Sequence, residues 1–456
     1  MTAQYDFVII GAGSAGSSAA FAAAEQGRRV ALIERDKLGG TCHNYGCDPT
    51  KTLLHVGQLR YWARHADRYG LRVGSVDVDW DAVQAWVRKV LEEMQGGTDE
   101  QARQSVRDKG IDVRFGEAHF VSAHEVEVDS ERLRGDQIVI AAGMQAVVPD
   151  IEGLRETGFI TNVEAVSLPK LPRRLAVVGG GPLGSEFAQL FHRFGVEVII
   201  VEQSDTLLST EDSELSDMLA DLLRNEGIRI ELGAELTSGA RTEAGKRVTF
   251  KRGDETLSAD VDEILVALGR RPNLAALNLE AAGVKATKKG IEVDEYLRTN
   301  VPHIWAAGDI ADQYPFTHVA EAQGELVAQN AFAEQPRPFN SYAVPWATYT
   351  DPELAHVGRT EDELRQDGVP YCVVRSPMKQ NDRAMTMGRT DGLVKVLVAD
   401  DGQILGGHVL AAQGGEIIAP LVVAMRNRLP VSALADTLLP YPTLAESVRQ
   451  ACQEHK

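Results

Sequence analysis

One short pattern, present twice, constrains this chain more than any other feature. The apolar run Phe7-Val8-Ile9-Ile10 reads as a buried strand. It leads into Gly11-Ala12-Gly13-Ser14-Ala15-Gly16, an alanine-rich helix to about Gln26, and a second strand over 29–33 that ends at Glu34. The same order returns as a strand over 175–178, the turn Gly179-Gly180-Gly181-Pro182-Leu183-Gly184, a helix to about Phe194, and the strand Glu197–Val201 ending at Glu202. Strand, glycine turn, helix, strand and acid form the dinucleotide-binding fingerprint. Its first glycine (Gly11, Gly179) permits the tight turn, its second (Gly13, Gly181) lets backbone approach a pyrophosphate, and its third (Gly16, Gly184) lets helix pack on strand. The helix N-terminus faces the phosphates, and the acid accepts from a ribose hydroxyl. A single glycine-rich turn is a weak signal. Two copies with the same interval from first glycine to acid predict two dinucleotide sites. Glu202 is followed by Gln203-Ser204-Asp205, without an arginine to meet a 2′-phosphate, which favours NADH over NADPH.

Just after the first copy comes Gly39-Gly40-Thr41-Cys42-His43-Asn44-Tyr45-Gly46-Cys47-Asp48-Pro49-Thr50-Lys51. In an ideal helix, residues five apart are rotated by roughly 140° and separated by about 7.5 Å of rise, too far for a disulfide. Asn44 and Gly46 allow an irregular turn that closes a small strained ring, and strained, accessible disulfides are the labile ones. Asp48-Pro49 reads as an N-cap with proline at the first helical position. Cys47 then lies beside a helix N-terminus and near Lys51, where a thiolate is favoured, while Asp48 adds a negative neighbour. By itself the segment fits a redox pair, two buried free thiols, or a zinc site completed by His43 or His55. Zinc sites usually show a second close ligand pair, and none is visible. Cys372 and Cys452 are isolated and read as inert.

At 456 residues the chain predicts two to four domains. A net charge of -19 argues against nucleic acid or an anionic membrane surface as the main partner. Four cysteines are too few for a secreted disulfide framework, so a reactive pair in a reducing cytoplasm is expected. The apolar N-terminal stretch lacks a basic leader, carries Asp6 and is broken by glycines, so it reads as strand and helix rather than a signal peptide. No run is long and apolar enough to span a bilayer.

Residues 52–110 read as mainly helical, with Trp62, Trp80 and Trp86 in packing roles. A strand over 138–142 ends at Gly143, another over 261–268 runs into Gly269-Arg270-Arg271-Pro272-Asn273, and Ile304-Trp305-Ala306 leads to Gly308-Asp309, a carboxylate at a carboxyl sheet edge. From about Asn340 the texture changes to prolines and short β-branched strands, which reads as a dimerising domain. Near the end, Pro440-Tyr441-Pro442 makes a rigid turn before a final helix that carries Glu446.

Taken together, these motifs resemble the flavoprotein disulfide reductases, the class I pyridine nucleotide-disulfide oxidoreductases, over essentially the whole chain. The resemblance implies an α/β enzyme. An FAD-binding domain would occupy 1–149 and 273–339, an NAD(P)H-binding domain 150–272, and an α+β dimerisation domain 340–456. It implies FAD on the first fingerprint, with Glu34 at the adenosine ribose and Asp309 near the ribityl chain. Thr41, Gly143, Gly269 and Gly308 would stand beside the cofactors. The second fingerprint, ending at Glu202, would bind NADH, with NADPH as the alternative. Cys47 becomes the thiol against the flavin, Cys42 the interchange thiol facing the acceptor, and Lys51, paired with Glu186, lies near the flavin's reactive nitrogen. The implied homodimer shares each active site between chains.

The resemblance also has breaks. Most disulfide-reducing members carry histidine where Tyr441 stands, paired with a glutamate matching Glu446, and tyrosine, with a reference pKa of about 10, is a poor proton shuttle. Mercuric reductases and soluble transhydrogenases have tyrosine there. The former, however, end in a vicinal cysteine pair, and the latter lack one cysteine of the redox pair. His43, Tyr45 and Asp48 depart from the commonest residues of the motif. The expected function is therefore NADH oxidation through FAD and Cys42–Cys47 to a non-standard acceptor: a metal ion such as Hg(II) or Cu(II), a quinone, or an unusual thiol compound. The alternatives are a dihydrolipoamide dehydrogenase with another proton carrier, or an NADH-sensing flavoprotein with little turnover. No resident metal site is expected.

Overall fold

Strand β1 (Ala3–Ile10) is buried on both faces at its C-terminal half, as expected of a central parallel strand. The computed structural model describes residues 2–243, 245–311 and 314–455, which form two compact units. The first comprises Met1–Thr52, Asp81–Val147 and Gly269–Asn340; the second comprises Leu53–Trp80, Val148–Leu268 and Ser341–Lys456.

In the first unit β1 is followed by helix α1 (Ser14–Glu25), strand β2 (Val30–Glu34), helix α2 (Gly40–Tyr45) and helix α3 (Cys47–Arg64), whose C-terminal part belongs to the second unit. Further on come β3 (Ile111–Phe115), β4 (Ala118–Ser122), β5 (Glu125–Val128) and β6 (Glu131–Ile140). The sheet order is β3-β2-β1-β6-β5-β4, and the strand Ile304–Ala306 also pairs with β6. β3, β2, β1, β6 and Ile304–Ala306 run parallel, whereas β4 and β5 are antiparallel additions. Alternation along β1 divides the core. Phe7 and Ile9 pack with the alanines of α1, and Val8 and Ile10 pack with Phe120, Val126 and Ile138 on the other face. The strand expected over 138–142 begins earlier, at Glu131, because its polar N-terminal half is held by the β5 hairpin.

In the second unit Arg174–Val178, Glu197–Val201, Arg229–Glu231 and Glu263–Val266 form a parallel sheet in which Arg174–Val178 lies between Glu197–Val201 and Glu263–Val266. The single strand expected over 261–268 is two, Glu255–Val261 and Glu263–Val266. The first pairs antiparallel with Gly245–Arg252 and the second parallel with Arg174–Val178, so the chain changes sheets at Asp262. The C-terminal segment builds a five-stranded antiparallel sheet in the order Pro345–Thr348, Glu353–Gly358, Ile404–Ala411, Leu393–Val398, Cys372–Pro377. Helix Glu446–Gln453 packs on it through Val448, Ala451 and Cys452.

Candidate active site

The order of the first sheet reverses between β1 and β6, and Gly11 follows β1 at that point with a φ of 102°. A Cβ on Gly16 would collide with the Gly11 carbonyl, so the third glycine is what lets α1 start this close to the turn. Gly13 caps α1 with no side-chain hydrogen bond, leaving the first-turn N–H groups without a side-chain acceptor. Glu34 is buried; its Oε2 accepts from Ala12 N–H at 2.8 Å and its Oε1 from Asp36 N–H at 2.9 Å. A carboxylate offers about four acceptor positions, so capacity remains for a ribose hydroxyl.

The second fingerprint repeats this geometry. Gly179 has a φ of 109°, Gly184 approaches the Gly179 carbonyl in the same way, and Gly181 caps helix Pro182–Arg193 without a side-chain bond. Glu202 Oε2 accepts from Gly180 N–H at 2.5 Å and Oε1 from Ser204 N–H at 2.6 Å. A Cβ on Gly181 would meet nothing within 4 Å, which leaves open space above the turn. Both turns fit a pyrophosphate: each has a side-chain-free cap, donors at a helix N-terminus, and an acid tied to the turn.

Two loops complete the first crevice. Arg270–Pro272 pairs antiparallel with Met144–Ala146, and Asn273 Nδ2 donates to Ala142 O at 2.7 Å while its N–H donates to Gly143 O at 3.0 Å. Gly143, Gly269 and Gly308 all have positive φ. Asp309 pairs with Arg270 at 2.5 Å, joining two motifs the sequence shows only as separate signatures. Gly308 N–H donates to Gln323 Oε1 at 2.7 Å.

The redox segment is fixed to the first turn by backbone. Gly39 N–H donates to Ala12 O at 2.9 Å, and a Cβ on Gly40 would come to 2.7 Å from Gly13 Cα. Cys42 and exposed Thr41 sit in α2, Cys47 opens α3, and Gly46 separates the helices with φ -129° and ψ -113°. That break overcomes the helical spacing and brings the two sulfurs together. A Cβ on Gly46 would lie 2.9 Å from Thr41 O and 3.3 Å from Cys42 Cα. Asp48 is not the N-cap expected from sequence. α3 starts at Cys47, two residues before the expected Pro49, and the Asp48 carboxylate turns to His43 Nδ1 at 3.0 Å.

The two thiols are free and unequal. The Thr317 hydroxyl donates to Cys42 Sγ at 3.0 Å and lies 3.5 Å from Cys47 Sγ. The hydrogen bond between the two cysteines, then burial, holds the Cys42 thiol far above the ordinary thiol range. The same bond, aided by Thr317 and by Lys51 one turn along α3, lowers Cys47 to about 6 against opposing burial and Asp48. The balance favours the proton on Cys42 and the negative charge on Cys47. Thr317 opens helix Thr317–Asn330 and has no local signature linking it to cysteines some 270 residues away in sequence.

Lys51 lies in the first unit; Glu186, Tyr441 and Glu446 lie in the second. Glu186 Oε1 accepts from Tyr349 N–H at 2.8 Å. Tyr441 and Glu446 do not bond to each other: Tyr441, 72% exposed, donates to Asp382 Oδ2 at 2.7 Å, and Glu446 Oε2 accepts from Thr443 N–H at 3.1 Å. Asp382 raises the Tyr441 pKa above its already high ordinary value. Among the described residues no three His, Cys, Asp or Glu side chains are placed to hold a metal ion, and no helix is long and apolar enough to cross a membrane.

Residues 5–324 match the pyridine nucleotide-disulphide oxidoreductase family, and residues 344–452 match its dimerisation domain. The chain belongs to that family. It is an oxidoreductase of a family that uses FAD and NAD(P)H, and it carries the domain through which family members dimerise. It is 33% identical to a mercuric reductase of Staphylococcus aureus over 98% of this chain and 82% of that one. A dihydrolipoyl dehydrogenase of Bacillus subtilis is 32% identical over 99% of this chain and 96% of its own. Among solved structures, the HOCl-induced flavoprotein disulfide reductase RclA from Escherichia coli superposes with a TM-score of 0.88 at 32% identity. That match covers 99% of this chain and 100% of the other, and RclA is also known as a Cu(II) complex with the same figures.

Proposed function

We propose that this protein is an NADH-preferring flavoenzyme whose Cys42–Cys47 pair delivers electrons to an acceptor other than a lipoyl or glutathione disulfide. A metal ion such as Hg(II) or Cu(II) fits best, with a quinone or unusual thiol compound next. The observation that carries this reading is Tyr441. Where most of the family's disulfide-reducing members place an imidazole, this chain has an exposed phenol bound to Asp382, protonated throughout the neutral range. The mercuric reductase relative and the Cu(II) complex of RclA support a metal-ion acceptor.

FAD and NAD(P)H, when bound, supply the hydride and electron transfer. The first turn, Gly11, Gly13 and Gly16, would hold the FAD pyrophosphate, with Glu34 at the ribose and Asp309, braced by Arg270, at the chain between. Thr41, Gly143, Gly269 and Gly308 would shape the rest of that site. Gly179, Gly181 and Gly184 would hold the nicotinamide nucleotide, and Glu202 would accept from its 2′-hydroxyl while repelling a 2′-phosphate. Opening the disulfide takes up two electrons and one proton: the proton stays on Cys42, and Cys47 keeps the negative charge beside Lys51. Lys51 would be held by Glu186, and Cys42 would face the acceptor. In a homodimer, the partner chain would complete the site with its Tyr441 and Glu446 region.

The B. subtilis dihydrolipoyl dehydrogenase, matched over nearly its full length, favours a second reading, lipoamide turnover with another proton carrier. Steady-state assays with lipoamide, glutathione disulfide, Hg(II), Cu(II) and quinones separate the two. Turnover with a metal ion that is lost in Cys42→Ser supports the proposal; fast lipoamide turnover lost in the same variant overturns it. Negligible turnover with every acceptor would leave an NADH-sensing flavoprotein.

A further inference from the structure

Two of the residues that set this redox motif apart are bound to each other. His43 follows Cys42 on α2, Asp48 follows Cys47 on α3, and His43 Nδ1 lies 3.0 Å from Asp48 Oδ2, both side chains being largely enclosed at 14% and 24% exposure. The other ring nitrogen, Nε2, lies 3.3 Å from Gln95 Oε1. Gln95 has little choice about which end of its amide it presents, because its Nε2 donates to Asp99 Oδ1 at 3.2 Å. Both imidazole nitrogens therefore face acceptor oxygens, and both are satisfied only if each carries a hydrogen. The geometry favours the imidazolium form of His43. The third departing residue, Tyr45, bonds outward to Asp36 at 2.8 Å.

An unbalanced carboxylate one residue from Cys47 opposes the thiolate that the site otherwise favours. We propose that His43 is a cationic positioning residue: it holds the Asp48 carboxylate away from Cys47, cancels its charge, and so keeps the Cys47 sulfur available as a thiolate near neutral pH. The groups that bear on this balance are few. Around Cys47 they are Cys42, Thr317, Lys51 and Asp48; around His43 they are Asp48, Gln95 and Asp99. Asp48 also raises the His43 pKa, which agrees with the two-donor geometry. The pair joins the last turn of α2 to the first turn of α3, so it spans the same junction as the two cysteines without being covalent.

The inference rests on Cys47 being the flavin-facing thiol, and the test keeps the two apart. The long-wavelength thiolate–flavin absorbance of the holoenzyme, reduced anaerobically by two electrons, is followed against pH, alongside iodoacetamide alkylation of the reduced protein. In His43→Ala the midpoint should rise by about one pH unit, the low end for a like charge at contact range because Asp48 is partly exposed. In His43→Ala/Asp48→Asn it should return to within about 0.3 unit of the parent, since the charge to be cancelled is gone. His43→Gln, which keeps hydrogen bonding without the positive charge, should behave as His43→Ala and serves if that variant does not fold. An unshifted midpoint in His43→Ala and His43→Gln, or an equal shift with and without Asp48, overturns the inference. Absence of the band in the unmodified protein counts instead against the flavin-facing role of Cys47.

Discussion

The hydroxyl of Thr317 donates to the sulfur of Cys42 at 3.0 Å, although 275 residues separate them in the chain. The bond lowers the Cys42 thiol against the rise that Cys47 and burial impose, and the same hydroxyl, 3.5 Å from Cys47 Sγ, helps to lower Cys47. Thr317→Val keeps the shape and removes the donor. A neutral hydrogen bond contributes about 0.5–1.5 kcal/mol net, so the Cys47 midpoint should rise by up to about one pH unit. Thr317→Ser should stay near the parent. The pH dependence of the thiolate–flavin absorbance of the two-electron-reduced holoenzyme checks both; an unmoved midpoint in Thr317→Val would show the contact to be incidental.

The two fingerprint turns should separate by ligand. Gly16 and Gly184 each pass so close to the first glycine's carbonyl that a methyl group cannot be accommodated without moving the helix start. Gly16→Ala is expected to yield protein largely without yellow FAD. Gly184→Ala should retain FAD, remain reducible by dithionite, and lose NADH saturation. Flavin content measured by absorbance, together with NADH titration, decides this. If both variants lose FAD equally, the assignment of separate cofactors to the two turns fails.

Across the C-terminal sheet one row of cross-strand partners reads Trp346, His356, His408, Lys395 and Arg375. Lys395 is buried and contacts Asp212, Glu214 and Glu361 at 2.9, 2.9 and 2.6 Å. Burial lowers both histidines to about 3 and raises Glu211, which accepts from Trp346 Nε1 at 2.6 Å, to about 7. Lowered histidines contribute stability that is present above pH 6.5 and lost as pH falls toward 3; the raised glutamate contributes stability present below 4.5 and lost as pH rises to 7. Two groups oppose one, so between these ordinary values acidification should cost about 1.4 kcal/mol per pH unit from this cluster. Urea denaturation at several pH values should show that slope reduced in His408→Gln. An identical slope in parent and variant would place the acid sensitivity elsewhere.

Much of the fold was legible because its signals are local. Strand, glycine turn, helix and acid lie within one stretch of chain, so each βαβ unit could be read without knowing what packs on it, and the doubled interval made two nucleotide sites the economical explanation. Gly143, Gly269 and Gly308 were readable as turn positions for the same reason. Residues 261–268 form parts of two strands because the pairing partners change at Asp262, and a change of partner is a long-range event that the local sequence does not record.

The sequence by itself determined that two dinucleotide crevices exist and that two cysteines stand beside the first, because backbone sterics at glycine and apolar periodicity act over a few residues. Only the tertiary structure decided the chemistry of those cysteines. Thr317 comes from a distant helix, His43 pairs with Asp48 once Gly46 breaks the helix, and Asp309 meets Arg270 from another loop. A thiol's charge depends on what lies within a few ångströms in space, and chain folding brings those groups together without leaving a trace in sequence order.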